Sequence, residues 1–311
     1  AAGALAGIVE EKDASETQRA IREVNTGLIA APAGRLRSWV QALSNDNAQG
    51  EYYLTDCPGL AVAEGFPARA ITAADAVCAS GVNDRRQQAA LERILQQRMA
   101  ASHQAAGLQI VDPARFDQRG SLEFGRDCRI DVNCVIEGEV CLGDNVRIGP
   151  NCLLRDCAIG DGTEVLANSV LEGAELGANC HVGPFARLRP GTRLAERARI
   201  GNFVETKQAI VGPGSKINHL SYVGDAQLGR DVNVGAGTIT CNYDGANKWT
   251  TTIEDAAFIG SNSALVAPVT IGAGATIGAG SVISRDAPAG ALSVARGKQK
   301  SIEGWKRPVK K

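Results

Sequence analysis

The 311-residue sequence is poor in large side chains. Phenylalanine, tyrosine and tryptophan together make up 4% of the residues, and there is a single methionine, whereas glycine occurs 36 times. A chain of this length has enough residues for one large domain or two ordinary ones. Its core therefore has to be built from small and branched aliphatic side chains.

The sequence also lacks a charge excess and long apolar runs. Lys and Arg number 33 against 34 Asp and Glu, which argues against a nucleic-acid partner because such proteins normally carry a basic excess. No stretch of about 18 apolar residues is present, so we expect no membrane span and no membrane partner. The opening residues, AAGALAGIVE, lack both an initiator Met and the charged start of a signal peptide. We therefore expect a cytoplasmic protein and an N-terminal truncation.

The second half of the sequence repeats with a period of six. An aliphatic residue returns every six positions from Ile130 to Val234 and again from Ile253 to Ile283, with Thr206 as its polar member. This period fits neither an α-helix nor an alternating strand. It predicts a parallel β-helix in which three hexapeptides form one coil, eight or nine coils in all. The interruption, TCNYDGANKWTTT, predicts a loop that leaves the β-helix and carries binding residues.

The repeat accounts for the positions of four of the nine cysteines. An odd count in a chain without an export signal argues against a disulfide framework. Four of them follow the aliphatic position by four residues, where a second inward side chain has to be small: Cys128, Cys134, Cys152 and Cys180. We interpret them as core residues rather than metal ligands, since they lack the paired spacing of a thiolate site.

The first hundred residues have mixed character. GIVEE and TGLIAA are typical of short strands, whereas RLRSWVQAL and YYLTDCPGLAVAEG show helical spacing, with Pro58 at a boundary. A longer helix is predicted from an Asn83 N-cap to Gly107, with its apolar stripe at Leu91, Ile94, Leu95 and Met99. On this helix we expect His103 to be solvated. No glycine-rich phosphate loop opens a helix here.

Two features of the β-helix region have side chains suited to acid–base chemistry and to anion binding. His219 follows the inward Ile217 by two residues, and an imidazole accepts a proton at neutral pH without much tuning. Arg189 and Lys207 are 18 residues apart, which is one coil, so they are expected to stack about 5 Å apart as a phosphate clamp. Glu205 is a weaker candidate to orient or polarise the imidazole.

Several motifs in the chain are similar to those of one known family. GIVEEKDA, VNTG, NDNAQGEYYLTD, GVNDR, GPFARLRPG, GNFVETK, NHLSYVGDA, GAGTITCNYDGANK and EGWKRPVKK resemble the bacterial bifunctional GlmU family from about Gly7 to Lys311. That family acetylates glucosamine-1-phosphate and then uridylylates the product to UDP-N-acetylglucosamine. The resemblance implies a mainly β protein with a left-handed parallel β-helix. It further implies a partial pyrophosphorylase-type α/β segment at 1–83, a connecting helix at 84–107, the β-helix at 108–290 and a tail at 291–311.

The resemblance also implies roles for individual residues. His219 would be the general base, and acetyl-CoA the acetyl donor. The substrate-binding residues would be Arg189, Lys207, Tyr222, Asn233 and Glu205. The acetyl-CoA contacts would be Ala236, Asn242, Tyr243, Ser261, Ala279 and Arg296, with help from the basic tail at Lys298, Lys300, Lys306, Arg307, Lys310 and Lys311. The active form would be a homotrimer with shared sites.

For the other half-reaction, the resemblance implies contacts of Glu10 and Asn25 with the UDP-sugar, and of Asn83 with both ligand and Mg²⁺. The family's glycine-rich nucleotide loop and acidic magnesium ligand have no counterpart in this sequence. We therefore expect that UTP and UDP-N-acetylglucosamine are handled by the full-length family members, and that uridylyl transfer is lost in this chain.

Two other functions remain open. One is a hexapeptide acyltransferase that acts on another amino sugar, and the other is a non-catalytic β-helix scaffold. A zinc enzyme of the γ-carbonic-anhydrase type is excluded because His181 and His219 are several hexapeptides apart and His103 lies outside the repeat.

Overall fold

A computed structural model describes residues 4–307. The chain divides into two compact units, 1–91 and 92–311. Of the predicted basic tail, Lys310 and Lys311 lie outside the described residues. The four-segment division proposed from the sequence stays a prediction.

The first unit contains short helices. Helix α1 spans Glu16–Arg19, α2 spans Ala33–Gln41 and α3 spans Cys57–Ala63 with Pro58 in its first turn. Both predicted helical segments are therefore confirmed. The predicted strands GIVEE and TGLIAA do not form within residues 4–91, because a strand needs a pairing partner and the described part of this unit pairs only Ala4 with Arg69. Two 3₁₀ turns, Leu54–Asp56 and Ala76–Ala79, complete the unit.

Helix α4 spans Arg85–Ala105, close to the predicted range. Its N-terminus is capped by Asp84 rather than by Asn83. The Asp84 carboxylate accepts from the Gln87 N–H at 2.7 Å, and the Gln87 side chain accepts from the Asn83 N–H at 2.7 Å. A 3₁₀ turn at Pro113–Arg115 follows the helix.

The second unit confirms the parallel β-helix. Each residue of a strand pairs in parallel with the residue one coil later, most often 18 or 17 positions on. One face is an eleven-stranded sheet, which is more than the eight or nine coils that the sequence predicted. The difference arises because the pairing begins at Gln109 and ends at Ser293, beyond both ends of the counted repeat. Its strands are Gln109–Ile110, Arg129–Ile130, Arg147–Ile148, Glu164–Val165, His181–Val182, Arg199–Asn202, Lys216–His219, Asn233–Val234, Phe258–Ile259, Thr276–Ile277 and Leu292–Ser293.

The other two faces form a fourteen-stranded sheet in which the long strands turn a corner. Its strands are Phe116–Phe124, Cys134–Leu142, Leu153–Ile159, Val170–Glu172, Glu175–Leu176, Arg187–Leu188, Arg193–Leu194, Glu205–Val211, Tyr222–Leu228, Ile239–Cys241, Thr251–Ile253, Ala264–Val266, Val269–Ile271 and Val282–Ile283.

Four steps of the repeat, such as that from Leu154 to Ile159, are five residues long instead of six, and they are absorbed at corners. Between the second and third long strands, the pairing offset changes from 18 at Glu137 to 17 at Val140. Gly138 lies in this corner with a φ of 64°, and a Cβ there would be 1.9 Å from the Asp156 carboxylate. Glycine is therefore required by both the backbone and the close approach of the next coil.

The inward cysteines are core residues, as predicted. All four are at most 1% exposed and free of disulfides. Burial raises the pKa of Cys134 to about 12 and that of Cys152 to about 11, which keeps both thiols neutral at physiological pH.

The C-terminal half of α4 covers the first coil of the β-helix. Gln96 is 2% exposed, and its side-chain amide donates to the Gln118 carbonyl at 2.9 Å and accepts from the Gln118 N–H at 2.7 Å. The apolar stripe of the helix is covered only in part, since Leu95 is 50% exposed. The prediction that His103 is solvated is wrong. Its ring is half-buried, approaches the Gln118 side chain at 2.6 Å and lies edge-on to Phe124.

Candidate active site

A ladder of alternating charges runs up one face of the β-helix. Arg119, Glu137, Arg155 and Glu172 occupy equivalent positions on successive coils. The Arg119 guanidinium is 2.9 Å from Glu137, Arg155 pairs with Glu137 as well, and Arg155 is 3.1 Å from Glu172. Each cation of this ladder therefore has a carboxylate beside it.

The alternation breaks at the predicted clamp. Leu188 pairs with Thr206 across one coil, which places the following Arg189 next to Lys207. The alternation up to Arg189 predicts a carboxylate at the next position of the ladder. That position is occupied by Lys207, so two cations follow each other on successive coils. Arg189 has its own ion pair with Glu205, at 2.8 Å. Lys207 forms no such ion pair within residues 4–307 and has Asp225 as its carboxylate neighbour; together with Arg189 and its partner this leaves an excess of positive charge once a third cation joins, which favours an anionic ligand.

A third cation reaches Lys207 from the loop that interrupts the repeat. The Lys248 amine is the dominant neighbour that lowers the pKa of Lys207, with Arg189 also lowering it and Asp225 opposing them. Since like charges repel, three clustered cations are most stable when a multiply charged anion lies among them. Sequence reasoning missed Lys248 because it lies outside the hexapeptide period.

Tyr222 and Asn242 meet over Gly224, the residue that pairs with Lys207 one coil later. A Cβ at Gly224 would lie 2.4 Å from the Tyr222 hydroxyl and 2.9 Å from the Asn242 amide nitrogen. The absent side chain leaves room for both groups. The Asn242 amide also donates to the Asp225 carboxylate. Two predicted ligand contacts therefore lie next to the cation cluster.

His219 lies on the same coil as Tyr222, on the other side of the corner at Leu220. Its Nδ1 is 2.7 Å from the Asn202 side-chain oxygen, and Asn202 is its partner on the preceding coil. If Nδ1 carries the proton, Nε2 is a free acceptor on an exposed ring. The expected neighbour of the imidazole was Glu205, but in the structure that carboxylate pairs with Arg189 and Asn202 takes its place.

Four of the residues predicted to bind acetyl-CoA form a column above His219. The Gly237 N–H donates to the Leu220 carbonyl at 3.0 Å, which brings Ala236 one coil above His219. In the same way Ser261 lies above Ala236, and Ala279 above Ser261, through bonds to the Ala236 and Ser261 carbonyls at 2.8 Å. The Arg296 guanidinium donates to the Ala279 carbonyl at 2.5 Å. At about 4.8 Å per coil the column extends roughly 14 Å from the imidazole.

The remaining predicted residues of this unit lie at the edges of the site. Asn233 is half-buried and pairs with Lys216 and Phe258 at the start of the coil that contains Ala236. Tyr243 is exposed at the base of the loop, and its hydroxyl donates to the Gly245 carbonyl at 2.6 Å.

The three residues assigned to the UDP-sugar are not linked to one another. Glu10 accepts from the Thr55 hydroxyl at 2.8 Å, Asn25 is exposed, and the Asn83 N–H is bonded to Gln87 at the start of α4. Within residues 4–307 no hydrogen bond joins any two of them, and no group of three or more His, Cys, Asp or Glu side chains is arranged to hold a metal. Mg²⁺ takes oxygen ligands such as carboxylates and amide oxygens, and the role of Asn83 at such an ion stays a prediction.

Known proteins are similar to this chain over most of its length. The hexapeptide region matches two family descriptions, "GMPPB C-terminal domain" over residues 119–222 and "Bacterial transferase hexapeptide (six repeats)" over residues 250–285. The chain is 63% identical to "Bifunctional protein GlmU" of Alkalilimnicola ehrlichii over 98% of its own length and 66% of the relative's. It is 57% identical to the protein of that name from Bordetella parapertussis over its full length and 68% of the relative's. This chain belongs to the GlmU family.

The GlmU-family relatives are longer than this chain, which spans about two thirds of their length. Among solved structures, the β-helix is similar to the Arabidopsis UDP-N-acetylglucosamine acyltransferase, with a TM-score of 0.44 and 14% identity over 57% of this chain and 69% of that one. No helix within residues 4–307 is long and apolar enough to cross a membrane.

Proposed function

We propose that the second unit transfers an acetyl group from acetyl-CoA to the amine of glucosamine-1-phosphate, with His219 as the general base. The observation that supports this most directly is the position of His219, which is separated from Tyr222 by the corner at Leu220 and lies at the foot of the column formed by Ala236, Ser261 and Ala279. Membership of the GlmU family supports the same reaction.

The chemical step follows from the geometry of the imidazole. The Asn202 side-chain oxygen accepts a hydrogen bond from Nδ1–H, so the unprotonated Nε2 removes the proton from the attacking amine. The amine nitrogen forms a bond to the thioester carbonyl carbon, the C–S bond breaks, and coenzyme A leaves as the thiol after it takes up the proton. Alignment of two substrates on one rigid β-helix lowers the entropic part of the barrier.

The cation cluster is proposed to bind the phosphate. A sugar phosphate is a dianion near neutral pH, and Lys207 has an excess charge because the alternating ladder breaks there. Arg189 adds a planar donor pair and Lys248 a third charge. Tyr222, which meets Asn242 over Gly224, supplies a polar contact to the sugar, whereas Asn242 keeps its proposed contact with acetyl-CoA.

The column above His219 is proposed to bind acetyl-CoA. Its small side chains allow a linear ligand to lie close to the backbone, and Arg296 at the upper end offers a cation to the coenzyme phosphates. A homotrimer, Mg²⁺, UTP and uridylyl transfer are implied by the family alone, and the expected loss of uridylyl transfer stays a prediction.

The proposal is tested by thiol release from acetyl-CoA in the presence of glucosamine-1-phosphate. We expect His219→Ala to lower kcat by about 10²–10⁴-fold, the usual contribution of a general base. His181→Ala is the matched control, because His181 is a partly exposed histidine of the same β-helix that faces Glu164 at 3.5 Å. Equal activity of the two variants would remove His219 from the mechanism.

The same assay separates the two alternatives. Turnover with other amino sugars but not with glucosamine-1-phosphate would indicate a different acceptor. A folded chain without turnover on any amino sugar would indicate a scaffold.

A further inference from the structure

The loop at 242–250 is organised by a single carboxylate. One oxygen of Asp244 accepts from the Ala246 N–H at 2.8 Å and from the Asn247 N–H at 2.6 Å, and the other accepts from the Trp249 indole at 2.7 Å. These bonds, led by that from Asn247, lower the pKa of Asp244 to about 2. The group is therefore a carboxylate at any physiological pH.

The bonds of Asp244 enclose one residue, Lys248. Its two neighbours, Asn247 and Trp249, are both held by the carboxylate. Lys248 itself forms an antiparallel bridge with Tyr243, and the Trp249 N–H donates to the Asn242 carbonyl at 2.9 Å. The backbone that carries Lys248 is thus fixed on both sides.

This restraint acts against an electrostatic force. The neighbouring Trp249 N–H bonds the Asn242 carbonyl, and the Asn242 amide approaches Gly224, the partner of Lys207 one coil later, so the backbone brings Lys248 to the cluster. The positive charges of Lys248 and Arg189 both lower the pKa of Lys207. An unrestrained lysine would move away from two other cations, since its side chain has four rotatable bonds and the repulsion favours separation in water. A preformed cluster of like charges therefore needs an anchor outside itself.

We infer that Asp244 is a positioning residue that holds Lys248 in the cation cluster before the ligand arrives, and so increases the affinity of the site for a phosphate-bearing acceptor. The inference deepens the proposed function and rests on it for the identity of the acceptor. Asp244 is not assigned a contact with the reacting atoms. Its effect is expected on binding of the phosphate group and not on the acetyl-transfer step.

The test compares Asp244→Ala, Asp244→Asn, Lys248→Met and the double variant Asp244→Ala/Lys248→Met. Inorganic phosphate binding is measured by titration calorimetry, and kcat and KM for glucosamine-1-phosphate by thiol release. Asp127→Asn, at an exposed corner of a distant coil, is the matched control.

We expect Asp244→Ala to weaken phosphate binding and raise KM by about tenfold, the usual effect of one lost charge-assisted contact, with kcat changed less than twofold. Asp244→Asn keeps an acceptor for the backbone N–H groups and should show a smaller effect. In the double variant, loss of Asp244 should add nothing to the effect of Lys248→Met, because the carboxylate acts through that lysine.

The inference would be overturned by unchanged phosphate affinity in Asp244→Ala, by additive effects in the double variant, or by a wild-type chain that does not bind phosphate. If wild type binds phosphate with the expected coupling but does not acetylate glucosamine-1-phosphate, the proposed function fails and the inference about Asp244 stands.

Discussion

The Gln96 side chain substitutes for a missing strand at the first coil of the β-helix. Its amide pairs with both the N–H and the carbonyl of Gln118, at 2.7 and 2.9 Å, in a region where Gln96 is 2% and Gln118 is 7% exposed. Replacement by leucine keeps the length and helix propensity of the side chain but removes both hydrogen bonds. Gln96→Leu therefore isolates the contribution of this amide.

The expected loss follows from the two backbone groups left behind. A buried donor or acceptor without a partner costs about 1–3 kcal/mol, so Gln96→Leu should reduce the free energy of unfolding of the second unit by about 2–6 kcal/mol. For a unit of this size each kcal/mol lowers the melting midpoint by about 2–4 °C. A decrease on the order of 10 °C is therefore expected.

Thermal denaturation followed by circular dichroism measures this change, and hydrogen exchange of the strand Phe116–Phe124 localises it. Gln97→Leu is the matched control, because Gln97 is the adjacent glutamine of the same helix and is exposed. If the two variants melt at the same temperature, the amide of Gln96 does not stabilise the first coil and the interpretation of the α4 contact is refuted.

Two further predictions concern the imidazole and a corner. Asn202→Asp should move the acidic limb of the kcat/KM profile to higher pH, because a carboxylate 2.7 Å from His219 favours the imidazolium, which cannot act as a base. The control is Asn179→Asp, at an exposed corner of a distant coil. If the acidic limb lies at the same pH in both variants, Asn202 does not act on the imidazole. Gly138→Ala should destabilise the chain by about 1–3 kcal/mol more than Gly280→Ala in urea denaturation. Both glycines have a positive φ, but a Cβ meets a carboxylate of the next coil only at Gly138, so equal destabilisation would argue against the close approach.

The hexapeptide period carried most of the information about the second unit. It predicted the parallel β-helix, the inward cysteines and the stacking of Arg189 on Lys207, because neighbouring coils are related by a nearly constant offset along the chain. Any pair of residues 17 or 18 positions apart on a strand is thereby placed side by side. A periodic sequence is thus a map of contacts between coils.

Contacts outside the period were missed or misassigned. Short apolar runs in the first unit were interpreted as strands, although no described partner pairs with them and both Val9 and Leu28 are exposed. On α4, the buried residues are Gln96 and Ala100, and neither belongs to the aliphatic stripe. An aliphatic stripe is a poor guide where a helix meets the open edge of a sheet, because exposed backbone groups need hydrogen bonds there.

The repeating fold, the position of His219 within it and the pair of cations one coil apart all depend on spacing along the chain, so they could be predicted from the residues alone. Three contacts were visible only in the folded chain: Asn202 with the imidazole, Glu205 with Arg189, and Lys248 with Lys207. Side-chain direction at a corner, and the path of a loop that leaves the repeat, depend on local hydrogen bonds and packing that have no period.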